Sequence, residues 1–347
     1  MRCTSPRTVG FYDDGKTICW SPKKYSKQFP TFQIPCSKCI SCRLESARQT
    51  AVRCVHEAQM HEQNSFITLT YDEENLTSEK LQYQDFQNFV KRLRHYIYDE
   101  ELKRMYPYAK TQMERRAAAR THTEETRKDL RERLSISVFV AGEYGDRKKR
   151  PHWHALIFNW RPPDCEYKYS NERGDQVYSS RSLSDLWPFG ISEIGSITLE
   201  SAGYCARYAS KKLTHGPDGT HDFEPISRRS SKNAIGKKWI EKFWPDVFNL
   251  GFLVLPNGQQ CGIPRYYEKW FKKTHPTLWE HYVTVTKQKI IDDAIKKEAK
   301  ISLEEKKINL LRSAQMGLDY KRQRTRNEAR KKILEQKFKQ LNQHLKL

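Results

Sequence analysis

Two histidines in the stretch Pro151 to Phe158, PHWHALIF, have the residue type and the spacing that suit metal binding. The Trp, Ala, Leu, Ile and Phe around them predict a buried β-strand. Because successive side chains of a strand point to opposite faces, His152 and His154 should share one face while Trp153 lies on the other. Such a pair can bind one metal ion, although two hydrogen-bonded core histidines would give the same pattern.

Further reactive side chains occur on both sides of this stretch. Upstream, the run VFVAGEY predicts a second strand that carries Glu143, and the basic turn GDRKKRP would join the two strands as a hairpin. Downstream, Ser201 to Leu213 (SAGYCARYASKKL) predicts a helix with its N-cap near the first of these residues. On that helix Tyr204 and Tyr208 are four residues apart, so both should lie on one face.

These groups together suit a metal-assisted nuclease with a tyrosine nucleophile. Glu143 with His152 and His154 would bind Mg²⁺ or Mn²⁺ and leave positions open for a phosphate oxygen. A lysine one turn after the tyrosines, Lys211 or Lys212, would hold the phosphate or polarise a phenol. The alternative interpretation is that tyrosines at this spacing are ordinary residues at the edge of a core.

The composition indicates which partner to expect. The 347 residues allow one or two domains, and a net charge of +21 with a pI near 9.5 favours nucleic acid as the partner. No apolar run approaches the roughly 20 residues of a membrane-spanning helix, and the N-terminus lacks the apolar core of a signal peptide. We therefore expect no membrane partner, a reducing cytoplasm and cysteines in the thiol form.

Three of the nine cysteines lie in one short run, CSKCISC, and are Cys36, Cys39 and Cys42. Thiols at this spacing can share one soft ion such as Zn²⁺ in tetrahedral geometry, which requires a fourth ligand. The candidates for the fourth ligand are Cys3, Cys19, Cys54 and His56. We favour Cys3, since the following helix would carry Cys54 away. Packing of the thiols as small apolar side chains and an iron–sulfur cluster are the alternatives.

The other segments predict the elements that would position these groups. Helices are expected at about 43–62 and 83–98, and a half-buried strand at 65–71 (SFITLTY) with Thr68 and Thr70 on one face. The stretch 102–134 is rich in Lys, Arg, Glu and Ala and predicts an exposed helical insertion, either a solvated surface or an arm that contacts DNA. Helices that alternate with hairpin-paired strands indicate the α+β class.

The C-terminal third predicts less regular structure. A loop is expected at 214–232, the aromatic and basic segment 237–273 would form a small satellite core or stack bases, and a basic helical tail begins near Lys287. The expected domains are a cysteine-rich segment with a helix (1–62), the core (63–215), an extension (216–286) and the tail (287–347). The basic residues expected to contact DNA are Arg147, Lys148, Lys149, Arg150, Arg207, Arg228 and Arg229.

The combination of PHWHALIF and YCARYASKK resembles the HUH endonucleases. In the rolling-circle initiators of circular single-stranded DNA phages, the HxH strand binds the metal and a YxxxY helix supplies two nucleophiles. IPCSKCISCRL, AVRCVHEAQMHE, FITLTY, AGEYGD, LWPFG and IPRYYEKW extend the resemblance, over about residues 30 to 270, to the replication initiators of gokushovirus-type microviruses. By this resemblance FITLTY is the first family motif, the two histidines are the second, and the tyrosines with a following lysine are the third. Glu143 matches an acidic ligand of related initiators.

The resemblance implies a five-stranded antiparallel sheet flanked by helices. It also implies nicking of phage origin DNA, single-stranded or replicative-form, to give a 5′-phosphotyrosine and a 3′-OH that the host polymerase extends. The host helicase would be a further partner, and the reaction would take place in the bacterial cytoplasm. The second tyrosine would later release a circle. The alternatives are a non-enzymatic cysteine-metal protein that binds nucleic acid, and a transposase or conjugative relaxase with the same site.

Overall fold

The computed structural model describes residues 3–145, 148–208, 219–222, 224–316, 329 and 331–337. The chain divides into two compact units, Thr50–Phe243 and the combination of Met1–Gln49 with Trp244–Leu347. The strands are β1 (Arg7–Phe11), β2 (Ile18–Cys19), β3 (Phe32–Ile34), β4 (Asn64–Thr70), β5 (Ser137–Tyr144), β6 (Pro151–Phe158), β7 (Glu166–Ser170), β8 (Gln176–Ser179), β9 (Ser192–Gly195), β10 (Ile226–Arg229), β11 (Leu253–Val254) and β12 (Gln260–Cys261).

The helices alternate with these strands along the chain. They are α1 (Ile40–Ala58), α2 (Tyr83–Met105), α3 (Gln112–Ala119), α4 (Glu124–Arg133), α5 (Arg181–Leu186), α6 (Leu199–Tyr208), α7 (Lys237–Leu250), α8 (Arg265–Thr274), α9 (Pro276–His281) and α10 (Gln288–Met316), with a 3₁₀ turn at Pro22–Lys24 and a π-helical segment at Tyr282–Lys287. In the part of the chain that the structure describes, none of these helices has the length and apolar character needed to cross a membrane.

The unit Thr50–Phe243 is built on a seven-stranded sheet with the order β10-β5-β6-β4-β9-β8-β7. Each neighbouring pair in this sheet is antiparallel. The class is therefore α+β with a large antiparallel sheet flanked by helices, as the sequence predicts.

The central strands have different neighbours on their two faces. Trp153 of β6 and Ile67 of β4 belong to the main apolar core, together with Phe86 and Phe89 of α2. The histidines of β6 project from the opposite face, which α6 covers. The predicted assignment of the histidines and the tryptophan to opposite faces is confirmed, and it follows from the two-residue period of a strand.

The main sheet has seven strands, two more than the five expected. The edge strands were missed because they carry weak sequence signals. The strands β4, β5 and β6 are confirmed as elements. Strands β7 and β8 lie in a polar stretch for which the sequence predicts no strand. The residues of β7 are all exposed, so no apolar alternation marks it. Strand β10 lies within the predicted loop 214–232. Its sequence ISRR has one apolar residue, and its strand conformation depends on pairing with β5.

Helix α6 begins two residues earlier than predicted. Thr198 is the N-cap residue, and Ser201 is its partner three residues later. The Thr198 hydroxyl accepts from the backbone N–H of Ser201 at 3.1 Å, and the Ser201 hydroxyl accepts from the N–H of Thr198 at 2.8 Å. This reciprocal arrangement is a capping box. The described helix ends at Tyr208, and the predicted continuation through 213 lies outside the described residues.

The charged stretch 102–134 is helical and mostly exposed, as expected. Ala119 is the buried residue of α3, and Leu130 is that of α4. Arg133 at the end of α4 pairs with Glu101 of α2 at 2.6 Å, which ties the stretch back to the helix that precedes it. The insertion therefore presents most of its charged side chains to solvent.

The second unit contains two small sheets and an aromatic cluster. Strands β1, β2 and β3 form one antiparallel sheet, and β11 pairs with β12. Phe248 of α7 stacks on Phe271 of α8 with ring centroids 3.8 Å apart, and Tyr282 packs edge-on against Phe248 at 5.0 Å. These three residues form a small satellite core, whereas Trp239 of the same predicted segment stacks on His56 in the unit Thr50–Phe243. Helix α10 is the predominantly exposed helix that the tail predicts.

A glycine beside β4 gives the first test of this fold. Gly190 has a φ of +154°, and a Cβ there would lie 2.6 Å from the backbone nitrogen of Asp72 and the backbone oxygen of Thr70. The N–H of Asp72 donates to the backbone oxygen of Phe189, and the backbone oxygen of Thr70 accepts from the indole N–H of Trp187. Because both atoms are fixed, we expect Gly190→Ala to lower the free energy of unfolding by about 1 to 3 kcal/mol. Urea titration followed by circular dichroism measures this change.

The matched control is Gly145→Ala, because the nearest atom to a Cβ at that position is 3.7 Å away. It should leave the free energy of unfolding nearly unchanged. Equal destabilisation by the two variants would contradict the close approach of the chain at Gly190.

Candidate active site

The β5–β6 hairpin brings a carboxylate and two imidazoles together. Glu143 lies directly opposite His152 in the antiparallel register, and His154 follows two residues later on the same face. The Oε1 atom of Glu143 is 2.9 Å from Nε2 of His152 and 3.1 Å from Nε2 of His154. One ligand atom from each residue lies within 4.8 Å of those of the other two, which is the arrangement of a site that can hold a metal ion.

The burial of these residues differs across the site. The side chains of His154 and Glu143 are 1% and 8% exposed, whereas that of His152 is 17% exposed. The ligand set is therefore closed on the His154 side and reached from the His152 side.

The hydrogen bonds of the histidines orient their Nε2 atoms toward the carboxylate. The Nδ1 atom of His152 lies 3.2 Å from the backbone oxygen of Arg150, and because a carbonyl can only accept, this Nδ1 carries the proton. In the neutral ring Nε2 is then an acceptor that faces a carboxylate. Two acceptors at 2.9 Å require a proton or a metal cation between them, so the donor set fits a bound cation.

His154 has a similar partner on its other ring nitrogen. Its Nδ1 lies 3.0 Å from the hydroxyl of Thr68, which is its cross-strand neighbour on β4. The sequence places Thr68 on the correct face of its strand but gives no sign that it orients a histidine. The periodicity of SFITLTY and the pairing of β4 with β6 would together have been needed to find this role.

Glu143 is the anionic member of the set. Burial by itself raises the pKa of this carboxyl, but the hydrogen bonds and charges of His152 and His154 outweigh burial and lower the pKa to about 2. The carboxylate is thus ionised at any ordinary pH, which a hard cation such as Mg²⁺ or Mn²⁺ requires of a ligand.

One of the two predicted nucleophiles lies beside this ligand set. The phenol oxygen of Tyr204 is 3.3 Å from Nε2 of His154, and its ring packs edge-on against His154 at 5.0 Å. The side chain is buried. Tyr208 is the last described residue of α6, one turn further on, and its side chain lies outside the described part of the structure, as do Lys211 and Lys212.

The basic hairpin turn next to the histidines is only partly available to a ligand. Arg147 lies outside the described residues, Lys148 is exposed and Lys149 is half-buried. Arg150 forms an ion pair with Glu73 at 2.7 Å and donates to a backbone oxygen, so it fixes the turn to the neighbouring loop. Arg207 is half-buried on α6.

The adjacent arginines of β10 lie on opposite faces of the sheet. Arg228 is opposite Val140 of the main core, and its guanidinium is 6.0 Å from the ring centroid of Tyr83. Arg229 is opposite Phe139 and so shares the face of the histidines. By register Arg229 is therefore on the side of the ligand set, but β10 is an edge strand and both arginines line one cavity of about 230 Å³.

A basic cavity that the sequence patterns did not reveal lies at the other end of β5. Its volume is about 970 Å³, and Ser137 at the start of β5 is in its wall. The basic residues that line it are Arg94, Arg127, Lys128, Arg131, Lys232, Lys237 and Lys238, and they outnumber the lining carboxylates of Glu57, Glu132 and Glu241. They come from α2, α4 and the segment that enters α7, so no local pattern connects them in the sequence.

The cysteine run acquires its fourth member from the N-terminus, in the unit that contains β1 to β3. The Sγ atoms that lie within 4.8 Å of one another belong to Cys3, Cys36, Cys39 and Cys42. The other candidates are engaged elsewhere: Cys19 donates to backbone oxygens in its own turn, Cys54 is buried in α1, and His56 stacks on Trp239 at 3.6 Å.

Comparison with known proteins places the chain among viral replication proteins. The model of the replication-associated protein ORF2 family matches residues 106–213, which include β5, β6 and α6. The replication-associated protein VP4 of Bdellovibrio phage phiMH2K is 45% identical over 347 residues, all of both chains. Replication-associated protein ORF4 of Chlamydia phage 1 is 33% identical over 71% of this chain and 55% of its own length.

A more distant relative is replication-associated protein ORF2 of Spiroplasma virus 4, which is 27% identical over 74% of this chain and 72% of its own length. No solved structure matches the chain with significance.

From the hydrogen bond between Thr68 and Nδ1 of His154 we predict a measurable effect on metal binding. Thr68→Val keeps the shape of the side chain but removes the hydroxyl that holds Nδ1 of His154, so we expect the affinity for Mn²⁺ to fall about 10- to 100-fold. Isothermal titration calorimetry of the metal-stripped protein measures this affinity. Thr70→Val is the matched control, because that hydroxyl donates to the backbone oxygen of Ile191 and not to a histidine. Equal losses in both variants would contradict the role of Thr68.

Proposed function

This chain belongs to the replication-associated proteins of microviruses, and from that membership we propose that it initiates rolling-circle replication of a phage genome. The proposed reaction is nicking and rejoining of origin DNA through a 5′-phosphotyrosine. The observation that carries it is the position of the Tyr204 phenol, which is 3.3 Å from Nε2 of His154. The same Nε2 and that of His152 both contact the carboxylate of Glu143.

The ligand set supports a metal-dependent reaction. Glu143, His152 and His154 would hold Mg²⁺ or Mn²⁺, which polarises a phosphate oxygen and stabilises the charge that develops on it. The protein supplies the fixed geometry, since two of the three ligands project from one strand and the third from its hairpin partner. Closure of the site on the His154 side leaves the His152 side for the DNA phosphate to enter.

The proposed nucleophile is a phenol of α6. Its oxygen forms a bond to phosphorus, the bond from phosphorus to the 3′ oxygen breaks, and that oxygen leaves as a hydroxyl after gaining a proton. The phenol gives up its proton in the same step, and one of the two lysines that follow in the sequence, Lys211 or Lys212, would favour the phenolate by its charge. The free 3′-OH would then prime the host polymerase in the bacterial cytoplasm.

Two tyrosines are needed for the complete cycle. After one round of synthesis the second phenol cuts the regenerated origin, and the released 3′-OH attacks the first phosphotyrosine to close the displaced strand. Four-residue spacing on a helix supports this alternation, because residues at this spacing are neighbours on one face.

Binding of the DNA would depend mainly on charge. The net charge of +21 attracts the phosphate backbone, and the basic cavity between α2, α4 and α7 offers a concentrated site for it. This cavity adjoins Ser137, six residues from Glu143 along β5, or about 20 Å at the rise of an extended strand. We infer that DNA contacts made there anchor the origin while a more distant phosphate is cut.

Substitution of the tyrosines tests the nicking chemistry. Tyr204→Phe and Tyr208→Phe should each still form a covalent adduct with single-stranded origin DNA in Mn²⁺, because either phenol is sufficient for one cut, whereas the double variant should form none. Each single variant should fail to release circles and should accumulate linear or protein-linked DNA. A denaturing gel with labelled DNA resolves these products.

His154→Ala is the control that keeps both phenols, and it should yield no adduct while retaining most DNA binding. If one single variant were inactive and the other released circles normally, the paired-nucleophile mechanism would be wrong. A wild-type protein that binds DNA but forms no adduct would support the non-enzymatic alternative.

Removal of charge from the cavity tests where DNA is held. The triple substitution Arg127→Ser, Lys128→Ser and Arg131→Ser should weaken DNA binding and reduce the slope of log K against log salt by about 0.7 to 0.9 for each phosphate that the protein no longer neutralises. Fluorescence anisotropy at several salt concentrations measures this slope.

The matched control is the triple substitution Lys103→Ser, Lys110→Ser and Arg120→Ser. It removes the same positive charge from the stretch 102–134, but these three residues are exposed and do not line the cavity. It should change the slope much less. The same reduction from both triples would show that the cavity is not the place where DNA is held.

A further inference from the structure

We propose that Cys3, Cys36, Cys39 and Cys42 bind one structural Zn²⁺ ion. This site is in the unit that contains the N-terminal sheet, and it is separate from the Glu143 site in sequence and in chemistry. The proposal does not depend on the nicking function.

The distances between the sulfurs fit a single tetrahedral ion. The Sγ of Cys3 is 3.5 Å from that of Cys36 and 3.7 Å from that of Cys39. A tetrahedron with zinc–sulfur bonds of about 2.3 Å has edges of about 3.8 Å, so these two distances are close to the edges of such a site. The alternative role of small apolar side chains would require the thiols to be packed in a core. All four are only half-buried.

The backbone around the cluster points N–H donors at the sulfurs. The N–H of Cys36 donates to the Sγ of Cys3 at 3.3 Å, and the N–H of Cys39 donates to the Sγ of Cys36 at 3.3 Å. Ser37 adopts a left-handed conformation with φ of 61°, which turns the chain sharply between these two cysteines. Donors aimed at sulfur stabilise thiolates, and thiolate is the form that binds zinc.

The location explains why the fold needs such an ion. Among the side chains of β1, β2 and β3, Val9 and Cys19 are the buried apolar ones. Three short strands with so little core need an additional constraint. The cluster joins Cys3, just before β1, to Cys36, just after β3, so a bound ion closes the chain around the whole sheet.

The geometry disfavours the other possible states of the four sulfurs. A disulfide would bring two sulfurs to about 2.05 Å, whereas all four cysteines are free thiols and the Sγ of Cys3 is 3.5 and 3.7 Å from those of Cys36 and Cys39. A [4Fe–4S] cluster binds each thiolate to a different iron, which spreads the sulfurs further apart than four thiolates around one ion. The charge and softness of four thiolates select Zn²⁺ over the hard cations proposed for Glu143.

Elemental analysis of the full chain tests the proposal. Protein purified without added metal should contain about one zinc per chain, and Cys36→Ser and Cys39→Ser should each contain almost none. Cys261→Ser, whose thiol is outside the cluster, should keep its zinc, and so should His152→Ala, which alters the other site. Retention of zinc in His152→Ala together with loss of nicking would separate this site from the proposed active site.

A second measurement covers the case in which the cysteine variants fail to fold. The wild-type chain exchanged with Co²⁺ should show sulfur-to-cobalt charge-transfer absorption and the intense visible bands of a tetrahedral site, and a thiol-reactive mercurial should abolish both. Iron in place of zinc, a disulfide among these cysteines by mass spectrometry, or equal zinc loss in Cys261→Ser and Cys36→Ser would overturn the proposal.

Discussion

The register of β5 against β6 is the constraint on which the candidate site depends. Glu143 meets His152 only because these two residues are paired across the hairpin, and His154 reaches the same carboxylate because it is two positions further along. A slip of one residue would turn Glu143 to the opposite face of the sheet, next to α2. The same slip would expose Val140 of the main core, so apolar packing on one face fixes the register that assembles the ligands on the other.

The packing of the sheet also explains how the buried carboxylate of Glu143 is stabilised. A buried carboxylate is unfavourable unless it is paired, and Glu143 is stabilised by two imidazoles that a rigid strand holds in place. The outer nitrogens of both rings have partners, the backbone oxygen of Arg150 and the hydroxyl of Thr68, so the inner nitrogens are oriented toward one point. Such preorganisation is what binding of a cation and a phosphate would require, because little reorganisation is then left to the binding step.

The sequence predicts the parts of the molecule that follow from local periodicity. The alternation in PHWHALIF and SFITLTY is enough to find two central strands and to assign their faces, and the spacing of the tyrosines places them on a helix. The edge strands could not be predicted in this way, since the exposed residues of β7 and the short ISRR of β10 become strands only through pairing. The opposite facing of Arg228 and Arg229 follows from the same missed strand.

Contacts between distant segments, such as Thr68 with His154 or the basic residues around the cavity, depend on topology that no local pattern contains. For the cysteines, spacing identified three thiols and left four candidates for the fourth ligand. The structure places the favoured candidate, Cys3, beside the three.

The central claim is that Glu143, His152 and His154 bind one divalent ion beside Tyr204. Its most direct test is anomalous diffraction from a crystal of the full chain soaked in Mn²⁺, with data recorded on both sides of the manganese absorption edge. We expect a peak about 2.0 to 2.3 Å from Oε1 of Glu143 and from Nε2 of both histidines, with the Tyr204 phenol next to it. Absence of a peak there at saturating Mn²⁺, with Glu143 still hydrogen-bonded to both histidines, would contradict the claim.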